Sequence, residues 1–66
     1  MNLEKIKKRI DEKGIKQKYI ANLLGISENA LSRKLNGKNM FTVEEIKIIS
    51  NILRLNDREK IEFFLH

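Results

Sequence analysis

Apolar residues along this chain recur three and four positions apart, the spacing that lines one face of an α-helix. The first such segment runs from about Leu3 to Lys13, with Leu3, Ile6 and Ile10 on one stripe and Asn2 placed as N-cap. The second runs from about Gln17 to Leu24, with a broad apolar face of Ile20, Ala21, Leu23 and Leu24. The third starts after Ser27, a good N-cap, and ends at Asn36; its apolar positions are Leu31 and Leu35, with Ala30 beside them. The fourth opens on Thr42 with Glu45 three residues later, a capping box, and Phe41 with Ile46 fits a hydrophobic staple around it. Val43, Ile46, Ile49, Ile52 and Leu53 continue that stripe. The fifth enters in the same way, on Asn56 and Glu59. Its Ile61, Phe64 and Leu65 share a face, which turns Phe63 to the opposite side. Gly14, Gly25 and Gly37 follow the first three segments as helix C-caps do. No segment alternates with period two, so the pattern predicts five short helices and an all-α fold.

Segments two and three are joined by only Gly25, Ile26 and Ser27. Two helices on a three- to four-residue turn containing glycine form a helix-turn-helix. The reversal needs a positive φ, which glycine adopts without steric cost. Ala21 leaves room for close helix crossing, and Ile20, Leu24, Ile26, Leu31 and Leu35 can make the shared apolar wedge. With Leu31 set at 0° on the third helix, Leu35 falls near 40° and Ser27 near −40°, at roughly 100° per residue. On the same wheel Ser32 lies near 100°, Asn36 near 140°, Asn29 near 160° and Arg33 near 200°, roughly opposite the apolar side. An Asn and an Arg on one exposed face can read bases, Asn pairing with adenine and Arg with guanine. A solvated helix surface is the plain alternative.

Composition narrows the chemistry. Sixty-six residues without cysteine predict one small domain, 1–66, with no disulfide, thiol nucleophile or Cys-ligated metal. The only histidine is His66, so no two-histidine metal site or Ser/His/Asp triad can be assembled. No enzyme activity, metal or cofactor is expected, because Ser27, Ser32, Tyr19 and the carboxylates lack an activating set. The longest apolar runs, Tyr19-Ile20-Ala21 and Phe63-Phe64-Leu65, are three residues, too short for a membrane span. No signal-peptide pattern is visible, and a cytoplasmic location is expected.

The net charge of +5 is unevenly spread. Residues 1–38 hold ten Lys/Arg against four Asp/Glu, and residues 39–66 hold four against five. A basic front half points to an anionic partner. A membrane-active cationic peptide would need one long basic amphipathic helix, not capped short ones.

The stretch 16–38, KQKYIANLLGISENALSRKLNGK, resembles the motif of the Cro/CI-type (XRE-like) helix-turn-helix repressors. Its markers are Gln17, Ile20-Ala21, Leu24-Gly25-Ile26-Ser27, Leu31-Ser32-Arg33 and Asn36-Gly37-Lys38. The likeness extends more loosely over about residues 3–65. It departs at Lys34, where many relatives carry a bulky apolar or aromatic residue and where Leu35 is expected to supply the packing. The resemblance implies a compact five-helix lambda-repressor-like domain that binds double-stranded DNA and regulates transcription, as a prophage-like repressor. It implies base contacts from Glu28, Asn29, Ser32 and Arg33. A carboxylate near phosphates is repelled unless it accepts from cytosine N4, so a Gln17–Glu28 hydrogen bond is the preferred role for Glu28, as the family's pattern allows.

Phosphate contacts are expected from Gln17 and Lys18 at the start of helix two. Asn36, Lys38 and Asn39 are expected to grip the opposite strand. Tyr19 is either a phosphate donor or a packed ring with a wet tip. Lys5, Lys7, Lys8 and Arg9 are read as a solvated face. One recognition helix covers about half an operator, so a symmetric pair is expected, a weak homodimer strengthened on DNA. Phe63 is the candidate dimer contact; its alternative is to cover the base of helix one. A second functional reading is an antitoxin or adaptor of the same fold, holding a protein partner such as a toxin or antirepressor.

Overall fold

The computed structural model describes residues 1–65, and among these it contains five helices and no strand. They are α1 (Leu3–Glu12), α2 (Gln17–Leu24), α3 (Glu28–Leu35), α4 (Val43–Ile52) and α5 (Asp57–Phe64). Four of them begin on a side chain that satisfies a first-turn amide. Asn2 accepts from the Lys5 N–H at 3.1 Å and Ser27 from the Ala30 N–H at 3.0 Å. Thr42–Glu45 and Asn56–Glu59 close reciprocal capping boxes. Each such cap stabilises its helix by about 1 kcal/mol, which matters in helices of eight to ten residues. These are the four caps the pattern predicts.

One apolar cluster joins all five helices. Ile6 and Ile10 of α1, Ile20 and Ala21 of α2, and Leu31 and Leu35 of α3 meet Ile49 of α4 and Phe63 and Phe64 of α5. Phe41, Leu53 and Leu55 fill the loops at its edge. α2 packs on α3 and α4, and α1 packs on α3 and α5. The helix-turn-helix is therefore braced from behind by α1 and α4.

The structure corrects the wheel of α5. Phe63 is 4% exposed and lies in the core, whereas Ile61 and Leu65 are 51% and 76% exposed. Phe63 is thus not available as a dimer contact; it takes the alternative place, against α1. The reason is the α1–α5 contact. Glu59, Glu62 and Phe63 stand at i, i+3 and i+4, one helix face. Glu59 meets Arg9, Glu62 meets Lys5, and the Arg9 guanidinium lies 5.2 Å from the Phe63 ring centroid. Two adjacent phenyl rings also bury more apolar surface than an Ile/Leu pair. Val43 and Leu23, read as core-facing, are likewise exposed. α4 ends in the glycine-type geometry without a glycine: Arg54 takes φ 53° while the Leu55 N–H reaches the Ser50 carbonyl at 3.0 Å.

Candidate nucleic-acid interface

The turn between α2 and α3 is built by Gly25. It adopts φ 73°, and the following Ile26 N–H donates back to the Ala21 carbonyl at 3.0 Å, closing the end of α2. Ser27 then caps α3 at once. Leu31 and Leu35 are sealed against α2 and the core, with Ile20 and Ala21 buried opposite. Burying that stripe forces the other side of α3 outward. Glu28, Asn29 and Arg33 are exposed there and Ser32 is half-buried.

These side chains are not equivalent. Glu28 and Asn29 carry neither hydrogen bond nor ion pair. The expected Gln17–Glu28 hydrogen bond is absent; both side chains are exposed, and an exposed carboxylate gains little by exchanging water for a neutral amide. Glu28 instead sits in the first turn of α3, where negative charge is favoured. Asn36 Nδ2 donates to the Ser32 carbonyl at 2.8 Å and lies 3.4 Å from its hydroxyl. The Asn36 oxygen accepts from Lys7 Nζ at 3.4 Å, so Lys7 is linked to the end of α3 rather than free on α1. Arg33 Nε donates to Asn39 Oδ1 at 2.7 Å. Lys38 is exposed and unpaired.

The start of α2 differs from every other helix start. Its cap position is Lys16, which makes no side-chain capping bond. The N–H groups of Gln17 and Lys18 have no protein acceptor. Gln17, Lys18 and Tyr19 are exposed, and Tyr19 is a wet ring whose hydroxyl has no partner. Lys16, Lys18, Tyr19, Asn22, Ile26 and Glu28 line an open cleft of about 450 Å³ between α2 and α3. Lys16 is the residue the sequence reading missed; the signal was a lysine where a capping residue belongs.

Charge pairing sorts the cations. Lys5 pairs with Glu62, Lys7 with Glu4, Arg9 with Glu12 and Glu59, Lys34 with Glu45 and, loosely, Lys60 with Asp57. Among the described residues Lys8, Lys13, Lys16, Lys18, Arg33, Lys38, Lys47, Arg54 and Arg58 have no carboxylate within 4 Å, and of these Lys16, Lys18, Arg33 and Lys38 lie on or beside the helix-turn-helix. The departure at Lys34 is explained by Glu45: Lys34 Nζ lies 2.5 Å from Glu45 Oε1, which also accepts from the Thr42 N–H at 2.8 Å. Burial pushes the Glu45 carboxyl up, but the bonds from Lys34 and Thr42 outweigh it and leave the pKa lowered. Leu35, one position on, supplies the apolar packing. The Glu59 carboxyl is also held low, by the Asn56 amide and then by Arg9.

A rigid helix with a polar, cation-flanked outer face, set on a second helix with an uncapped N-terminus, defines a helix-turn-helix module. A family model described as helix-turn-helix matches residues 6–60, and the chain belongs to this family, the Cro/CI-type (XRE) class of DNA-binding regulators. That family is a DNA-binding regulatory domain and not an enzyme family. Comparison with curated proteins and with solved structures finds no match. No helix among the described residues is long and apolar enough to cross a membrane.

Proposed function

We propose that this chain is a sequence-specific repressor, of the kind found in prophages, that reads the major groove of duplex DNA with α3. The observation that carries this is the outward α3 face of Asn29, half-buried Ser32 and Arg33, bordered by Lys16, Lys18 and Lys38, none of which has a carboxylate partner. Arg33 and Asn29 are the base readers. Ser32 contributes its hydroxyl, and Glu28 accepts from a cytosine N4. Phosphates are held at both ends of the module. One sits on the free N–H groups at the start of α2, with Gln17, Lys16, Lys18 and the Tyr19 hydroxyl around it. The other meets Lys38, with Asn36 beside it.

Two copies on half-sites about 34 Å apart complete the operator. With Phe63 in the core, the contact between them falls to the exposed Ile61 and Leu65 of α5. Sedimentation is expected to show a weak dimer that tightens on DNA; a monomer in both states removes this part. The same α5 surface favours the second reading, a protein partner such as a toxin or antirepressor. Leu65 borders an open cleft of about 420 Å³ with Ile46, Phe64, Lys47 and Lys60.

Selection of bound duplexes from a random library tests the proposal. Enrichment of one half-site is expected, with a log–log salt slope of about −2 per half-site for the two neutralised phosphates. A library that stays random overturns base reading.

A further inference from the structure

The segment after α3 turns at Gly37, at φ 78°, and comes back along the helix end. The backbone N–H groups of Lys38 and Asn39 both aim at the Arg33 carbonyl, at 2.9 and 3.4 Å. This brings Asn39 beside Arg33 twice over, through the backbone and through the 2.7 Å bond from Arg33 Nε to Asn39 Oδ1. The guanidinium is planar, so holding Nε fixes its plane and leaves the Nη1/Nη2 edge as the one that can face a ligand. That edge offers two parallel N–H donors. Guanine alone presents two acceptors, N7 and O6, on its major-groove edge; adenine and cytosine present a donor there, and thymine one acceptor and a methyl group.

We propose that Asn39 is a positioning residue that aims Arg33 end-on at a guanine and so sets specificity at one base pair. The proposal rests on the reading of α3 as the groove-entering helix. It gives Asn39 a role through Arg33 instead of the phosphate contact expected from its place after α3. With Oδ1 engaged, the Asn39 amide hydrogens remain free to meet the adjoining backbone.

The test compares the full chain with N39A, N39D, R33A and R33A/N39A. Each binds the selected duplex and a duplex with adenine replacing the guanine at the Arg33-dependent pair. N39A is expected to lose about three- to tenfold in the preference for guanine, the size of one hydrogen bond. N39D retains an acceptor, so it keeps the preference while binding both duplexes more weakly through its added negative charge. In the R33A background, N39A leaves base preference as it finds it. In the free protein, the Arg33 Nε–H resonance exchanges with water more slowly in the wild type and N39D than in N39A. Equal loss by N39A on both duplexes, additive with R33A, overturns the proposal in favour of phosphate contact alone. If R33A itself leaves every base preference intact, the reader assignment fails and the positioning role with it; slow Nε–H exchange would still report the tether, so the two failures are told apart.

Discussion

Two basic surfaces of this molecule look alike in the sequence and fare differently in the fold. On α1, Lys5 and Arg9 face α5 and meet Glu62 and Glu59, while Lys7 meets Glu4 and the end of α3. Arg9 also covers Phe63. On the helix-turn-helix, Lys16, Lys18, Arg33 and Lys38 face no carboxylate. The first surface uses its charge to join two helices, and the second leaves it for an outside anion. Net charge therefore overstates the binding surface: pairing takes Lys5, Lys7, Arg9 and Lys34 out of it, while Lys8, Lys13, Lys47, Arg54 and Arg58 are unpaired away from the helix-turn-helix. Lys34 is the informative exception: it lies on the recognition helix, yet its charge is taken by Glu45 in the capping box of α4.

Four substitutions break or sharpen this contrast. The largest expected effect is from Glu45→Ala. It removes the Glu45 half of the α4 capping box, leaving the Thr42 cap in place, and strands Lys34, which is only 14% exposed, at a cost of about 2 kcal/mol in urea unfolding at pH 7. The folded-state pKa of Glu45 is depressed, so its contribution is complete above the ordinary value near 4.5 and fades as pH falls through the lower folded value. The gap between wild type and variant should accordingly narrow at pH 3; a gap that stays constant would show that the cap and the charge pair are not the cause. Arg33→Ala follows, losing about 1–3 kcal/mol on the selected duplex and relaxing preference at one base pair. Equal losses on random DNA would contradict a reading role.

Arg9→Ala belongs to the other surface. Calorimetry should show Tm lowered by about 3–6 °C, from loss of the ring contact and the bridge to α5. Duplex affinity should stay the same; a fall in affinity at unchanged stability would erase the distinction between the two surfaces. The smallest effect is from Lys38→Ala, which weakens all duplexes alike and makes the salt slope shallower by about 1. A change in base preference would move Lys38 from the phosphate to the bases.

Local chemistry made much of the fold legible. Asn2, Ser27, Thr42 and Asn56 announce four helix starts because a cap is satisfied within three residues of itself. Gly25 announces the tight turn because the backbone there needs a positive φ. The outward face of α3 follows from Leu31 and Leu35, since burying one stripe of a helix exposes the opposite one. The wheel failed on α5, where Ile61, Phe63, Phe64 and Leu65 crowd the helix with apolar residues on several sides. Charged residues flank each of these apolar positions, so the spacing does not single out one face and the neighbouring helix decides which residues go in.

The amino-acid sequence by itself determined five helices, their caps, the glycine turn and the stripe that α3 buries, all interactions spanning a few residues. Tertiary structure alone decided that Phe63 is core, that Arg54 ends α4 in a glycine-like conformation, which basic residues keep their charge unpaired, and that Asn39 returns to hold Arg33. Those outcomes depend on groups brought together by chain reversal or helix packing, and no local spacing encodes the distances between them.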